Sequence, residues 1–129
     1  MALIQSFRDL KVYQAAREEA KQLFLRSQSF PREERYALTD QIRRSSRAVG
    51  AMIAEAWARR RYEAAFVNKI NEALGEALET QAWLDHALDA GLLQPAEHRA
   101  FDDAWQSIGG MLQNMIQRTS AFIQKPKER

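Results

Sequence analysis

The sequence has no cysteine and only three prolines and five glycines among its 129 residues. The absence of cysteine excludes disulfide scaffolds, thiolate metal sites and cysteine nucleophiles. No apolar run reaches the roughly 18 residues of a membrane span, and the first residues lack the basic and apolar regions of a signal peptide. We therefore expect a cytoplasmic protein with no membrane partner. A chain of this length buries about two-thirds of its unfolded surface, which is enough for one cored domain.

Motifs for catalysis and cofactor binding are also missing. There is no phosphate-binding or dinucleotide-binding glycine loop, no His-Glu-x-x-His zinc motif, and no Glu-x-x-His pair of the kind that di-iron bundles use. The two histidines, His86 and His98, are expected to be exposed or capping residues rather than metal ligands. No serine has a histidine nearby in sequence that would activate it. We predict no enzyme, no catalytic residue, no metal and no cofactor.

Apolar residues recur at three- and four-residue steps through most of the chain, which predicts helices and no strands. Four helices follow from this pattern, with approximate bounds Arg8 to Arg26, Tyr36 to Arg60, Tyr62 to Ala90, and from Pro95 to shortly before Pro126. Short connections favour antiparallel neighbours. The predicted fold is all-α, an antiparallel up-down-up-down four-helix bundle over residues 1–124, with a disordered tail at 125–129.

Several local signals refine these helices. Ser6 and Asp9 form a candidate capping pair at the first helix. Gly91 suits the position just after the third helix, and Pro95 suits the first turn of the fourth. The pair Gly109-Gly110 lies inside the fourth helix, where we expect a kink or a closely packed crossing rather than a hinge.

The net charge of +2 hides an uneven distribution. Residues 1–69 contain fourteen Lys and Arg against eight Asp and Glu, whereas residues 70–122 contain two against eight. Such a division indicates either a nucleic-acid surface or complementary self-association.

The second helix concentrates the basic residues. A helical projection places Arg43, Arg47 and Arg61 within about 40° of one another, with Arg44 beside them. Trp57 and Tyr62 flank the run at its end, and arginines beside aromatic rings suit RNA binding. The predicted RNA-binding residues are Arg43, Arg44, Arg47, Arg59, Arg60 and Arg61.

Other interpretations of these features remain open. Arginines at a helix C-terminus are favoured by the helix dipole alone, and a near-neutral total charge is unusual for a dedicated nucleic-acid binder. The small residues Gly50, Ala54 and Ala58 on the same face allow either a phosphate backbone or a neighbouring helix to approach. If the basic side of one copy meets the acidic side of the next, the contact is heterologous and closes into a ring.

Several segments resemble the family of proteins encoded in 23S rRNA intervening sequences. The matching segments are Phe7–Gln14, Phe30–Ser45, Ile53–Glu55, Arg59–Arg60 and Ala73–Gln81. The resemblance implies a four-helix bundle, a homopentameric ring, and similarity to the accessory proteins of diversity-generating retroelements, whose partners are nucleic acid and a reverse transcriptase. It implies no catalytic residue.

The chain departs from the family pattern in the second helix. Family members usually have Ile-Pro-Ser-Asn-Ile-Ala-Glu-Gly where this chain has Val49–Ala56, and Ala58 replaces a further glycine. Without the proline and the glycines, we expect a straighter second helix.

Overall fold

The computed structural model describes residues 4–124, so the expected tail at 125–129 lies outside the described residues. Four helices form the fold: α1 (Lys11–Ser27), α2 (Asp40–Ala58), α3 (Glu63–Asp89) and α4 (Pro95–Gln117). No strand occurs within 4–124, and none of these helices has the length and apolar character that a bilayer crossing requires. The all-α prediction is confirmed.

The helices pack in sequence order, α1 on α2, α2 on α3, α3 on α4, and α4 back on α1. Between α2 and α3, Arg44 meets Glu76 and Glu79, whereas Glu55 pairs with Lys69 near the other end of α2. Partner numbers therefore fall along one helix as they rise along the other, which is the signature of antiparallel packing. Contacts between α1 and α2 and between α3 and α4 follow the same antiparallel order, so the bundle is up-down-up-down.

The helices begin and end within a few residues of their predicted positions. Ser6 and Asp9 do form a capping box, but it caps a single 3-10 turn, Phe7–Asp9. Leu10 is extended, with φ −69° and ψ 127°, so α1 begins at Lys11 rather than at Arg8. A wide π-type turn, Arg35–Thr39, precedes α2, which ends at Ala58 rather than at Arg60. Gly91 has the expected positive φ of 75°.

The core is mostly apolar and includes a polar contact between two helices. Its largest fully buried side chains come from all four helices, and include Leu23, Ile53, Phe66, Ile70, Leu84 and Trp105. Buried Ser45 and Thr80 form a 2.9 Å hydroxyl–hydroxyl hydrogen bond between α2 and α3. Each hydroxyl also bonds to a backbone carbonyl of its own helix, so the pair links α2 to α3 without being the sole partner of either group.

A two-pronged ion pair joins the end of α1 to the start of α4. Arg26 Nε donates to Glu97 Oε2 at 2.7 Å, and a second Arg26 nitrogen donates to Glu97 Oε1 at 3.1 Å. The Arg26 hydrogen bond, followed by that from the backbone N–H of Gln94, lowers the pKa of Glu97 from 4.5 to about 2. The folded protein therefore keeps this carboxylate charged at pH values where the unfolded chain protonates it.

We expect the stability that this charge contributes to be present above pH 4.5 and to be lost as the pH falls towards 2. The variant Glu97→Gln lacks the charge, so its free energy of unfolding should be lower than that of the parent at neutral pH. This difference, the stability gap, should narrow as the pH falls from 4.5 to 2. Urea unfolding of both proteins at several pH values measures the gap. A gap that stays constant down to pH 2 would contradict the assigned pKa.

Candidate nucleic-acid interface

A groove with a volume of about 470 Å³ runs between α1 and α2. Its floor consists of small residues from both helices, and its walls carry the aromatic side chains Phe7, Tyr13 and Phe24. The small residues are Ala16 and Ala20 on α1, and Ser46, Gly50, Ala51 and Ala54 on α2. The lane of small side chains that was predicted on the second helix is thus partly covered by α1. A Cβ added at Gly50 would lie 3.5 Å from Cε1 of Tyr13.

Two of the predicted arginines share one aromatic ring at the edge of this groove. The guanidinium carbon of Arg43 lies 4.8 Å from the ring centroid of Phe24, and that of Arg47 lies 5.1 Å from it. Arg43 Nε also donates to Ser27 Oγ at 2.8 Å. Within residues 4–124, neither arginine forms an ion pair with a carboxylate. The ring and the hydroxyl orient these charges without neutralising them.

Helix α1 adds two cations that are not among the predicted RNA-binding residues. Arg17 and Lys21 line the same groove, one helical turn apart. Their signal was present in the sequence, since each directly follows a small floor residue, Ala16 or Ala20. Among the described residues that line the groove, none is acidic. We call Arg17, Lys21, Arg43 and Arg47 the basic rim.

Arg44 does not belong to this rim. It faces α3, where one guanidinium nitrogen lies 3.2 Å from Glu76 Oε2 and another contacts Glu79. Two acidic neighbours offset its charge, so the interpretation of Arg44 as a flank of the same basic face does not hold in the folded chain.

The run Arg59–Arg61 lies at the far end of α2, about 24 Å along the helix axis from Arg43. Arg60 covers Trp57 with its guanidinium carbon 3.5 Å from the ring centroid, and its Nε donates to the Trp57 carbonyl oxygen at 2.7 Å. Burial lowers the pKa of Arg60 from its ordinary value. Arg59 and Arg61 are exposed, but both follow the end of α2 at Ala58.

The six predicted residues therefore occupy three places. The projection that grouped Arg61 with Arg43 and Arg47 is wrong, because Arg61 lies beyond the last helical residue of α2. Only Arg43 and Arg47 adjoin a groove with further cations.

A second cluster lies on the opposite side of the bundle, between α3 and α4. Nε2 of His98 is 2.8 Å from Oδ1 of Asp85, and one ligand atom from each of Asp85, His98 and Asp102 lies within 4.8 Å of the others. Gln81 Nε2 donates to Asp102 Oδ1 at 3.1 Å. His86 is exposed, as predicted. His98 is half-buried and its ring bonds to Asp85, so the prediction of an exposed or capping residue is wrong for His98.

These three side chains offer two carboxylates and an imidazole, which is a ligand set that a divalent cation can use. The His98 to Asp102 spacing of four residues on one helix face was the sequence signal. Hydrogen bonds already join these groups to one another or to Gln81, so they equally serve as a bridge between α3 and α4.

Comparison with known proteins adds two findings. A family described as "23S rRNA-intervening sequence protein" matches residues 8–114. The crystal structure of a protein with unknown function from the S23 ribosomal protein family of Bacteroides thetaiotaomicron VPI-5482 is similar, with 27% sequence identity and a TM-score of 0.74. The similarity covers 82% of this chain and 95% of that one. No curated protein matches the sequence.

Proposed function

The chain belongs to the 23S rRNA-intervening sequence protein family, and on that basis we propose that it is a non-enzymatic, oligomeric helical bundle that binds RNA or a ribonucleoprotein through its basic second helix. The observation that carries the proposal is the basic rim: Arg17, Lys21 and Arg47 line the groove, Arg43 adjoins it over Phe24, and no acidic residue is in the groove lining. We also propose a cytoplasmic location, where such RNA is found.

Electrostatics support this use of the rim. A charge of +2 over the whole chain gives little attraction for RNA, but the interaction depends on the local field. Four cations along one groove form a positive strip, and guanidinium groups bind phosphate oxygens in a forked geometry. Three of the acidic residues of α3 and α4, Glu76, Glu79 and Glu97, pair with Arg44 or Arg26. None of the acidic residues lines the groove, so they weaken this field less than the total charge suggests.

The proposal includes no catalytic step. His86 is on α3 and His98 is on α4, so neither belongs to the helices that form the groove. The family and the Bacteroides structure carry no stated activity. Binding is therefore the function that the chemistry of the groove supports best.

Matched arginine substitutions test RNA binding. We expect a labelled RNA hairpin with an unpaired loop to bind with an affinity that falls log-linearly with salt concentration. Arg47→Gln should reduce the slope by roughly 0.7, because one phosphate contact is lost. Arg44→Gln is the control, since it removes the same charge from a neighbouring position that two glutamates already offset. Fluorescence anisotropy at several salt concentrations measures both.

Two results would contradict the proposal. One is the absence of binding at low salt. The other is an equal loss in the two variants, which would mean that total charge, rather than the basic rim, governs the interaction.

The division of charge favours a second candidate function, a protein-interaction scaffold that forms a homopentameric ring without binding nucleic acid. The basic side of α1 and α2 and the acidic side of α3 and α4 would then meet in neighbouring copies. Exposed Tyr36, Tyr62 and Leu78 supply apolar area for such contacts. A partner resembling a reverse transcriptase, as in diversity-generating retroelements, belongs to this proposal too. Light scattering should give a mass about five times the 14.9 kDa of one chain, and a monomer would exclude the ring.

A further inference from the structure

We infer that the groove between α1 and α2 binds unpaired nucleotides, with bases against its aromatic walls and phosphates on the basic rim. This inference rests on the proposed RNA binding and specifies which form of RNA the site selects. It predicts that the protein distinguishes a single strand or a loop from a duplex of the same length.

The walls of the groove present aromatic rings in fixed positions. Tyr13 is held edge-on against Phe7, with 4.9 Å between ring centroids, and its ring packs beside Gly50. Phe24 is held by the two guanidinium groups. All three rings are half-buried, so part of each remains accessible from the groove. Accessible aromatic rings are what unpaired bases stack on.

The floor explains why a base, rather than a phosphate, occupies the interior. It is built mostly from alanine and glycine, which leave space for a planar ring, and the hydroxyl of Ser46 in this lining already donates to the Arg43 carbonyl oxygen at 3.1 Å. A volume of about 470 Å³ is within the range of pockets that hold small organic groups. Donors are confined to the edge, where Arg17, Lys21 and Arg47 reach the backbone of a bound strand.

A duplex cannot use this arrangement. Its bases are stacked on one another and paired, so only the phosphates would reach the rim and the groove would stay empty. Recognition of unpaired bases by stacking on aromatic or arginine side chains is the common mode among proteins that select single-stranded RNA. A helix from a second copy would also fit an apolar floor, but aromatic walls combined with an uncompensated positive rim favour nucleotides.

Fluorescence anisotropy at one low salt concentration tests the inference. It compares a labelled 12-nucleotide RNA that has no secondary structure with the blunt duplex of the same length. We expect the single strand to bind at least tenfold more tightly. Ala51→Leu places a larger side chain in the groove without changing the charge, and should remove this preference while leaving duplex binding unchanged. Ala58→Leu is the matched control, because Ala58 is an equally exposed alanine of α2 that does not line the groove.

Ala54→Leu, deeper in the groove, should have the same effect as Ala51→Leu, and circular dichroism confirms that each variant is folded. Equal affinity for both RNAs, or an Ala51→Leu variant that keeps the preference, overturns the inference while the proposed RNA binding stands. Binding of neither RNA overturns the proposed function itself. If a groove variant changes the mass of the particle but not its affinity for RNA, then a second copy of the chain occupies the groove. This result also overturns the inference.

Discussion

Replacing Trp105 by alanine should lower the free energy of unfolding by about 3–5 kcal/mol, as is typical when a large core side chain is removed. Trp105 is 0% exposed and lies on α4 within the apolar core. The cavity that its loss creates is closed in by the other helices, which cannot collapse without breaking their own packing. Urea unfolding followed by far-UV circular dichroism measures the change.

Trp105→Phe is the control for this prediction. The indole Nε1 is buried and has no hydrogen-bond partner in the part of the chain that the structure describes. Phenylalanine keeps much of the ring packing and removes this unpaired donor, so its cost should stay below about 1.5 kcal/mol. If Trp105→Phe is as destabilising as Trp105→Ala, then the N–H has a partner or the full volume of the indole is essential.

Alanine at Gly75 and at Gly110 should together stabilise the protein by about 2 kcal/mol, since each glycine inside a helix costs about 1 kcal/mol relative to alanine. A Cβ at either position meets nothing within 4 Å. The neighbouring Gly109 does face α3, with its added Cβ 3.6 Å from Cδ1 of Leu74. That distance is an ordinary contact, so Gly109 packs against α3 without requiring glycine, and neither glycine marks the closely packed crossing that the sequence predicts.

Gly91→Ala should change the stability in the opposite direction. Its φ of 75° lies in the left-handed region, where a side chain is strained, so we expect this variant to be less stable than the parent. Thermal unfolding of the three single variants separates the two effects. If Gly75→Ala or Gly110→Ala destabilises the protein, or lowers its mass in light scattering, then the outer face of α3 or α4 is covered by another copy.

The helices themselves could be predicted from the sequence because helical periodicity and end signals are local. Gly91 and Pro95 marked a helix end and a helix start, and both are confirmed. The beginning of α1 could not be predicted, because the competition between a capped 3-10 turn and a longer helix at Leu10 depends on small local energies.

The residues of the candidate site could be predicted only in part from the sequence. A projection of one helix cannot show which neighbouring helix each face meets. Arg43 and Arg44 are adjacent in sequence, yet one lies over Phe24 of α1 and the other pairs with glutamates of α3. Arg17 and Lys21 could not be predicted as part of the site, because they form a basic rim only together with α2, which lies beside them in the folded chain.

The sequence by itself determined the all-α class, the order of the helices and the unequal division of charge, since each depends on residue type and on spacing within one segment. Only the tertiary structure decided which charges remain uncompensated. Ion pairing between helices depends on distances of a few ångströms across a packed interface, and those distances are set by how the helices rotate and align against one another. That alignment offset the charge of Arg44 and left the basic rim with no acidic residue in the lining of its groove.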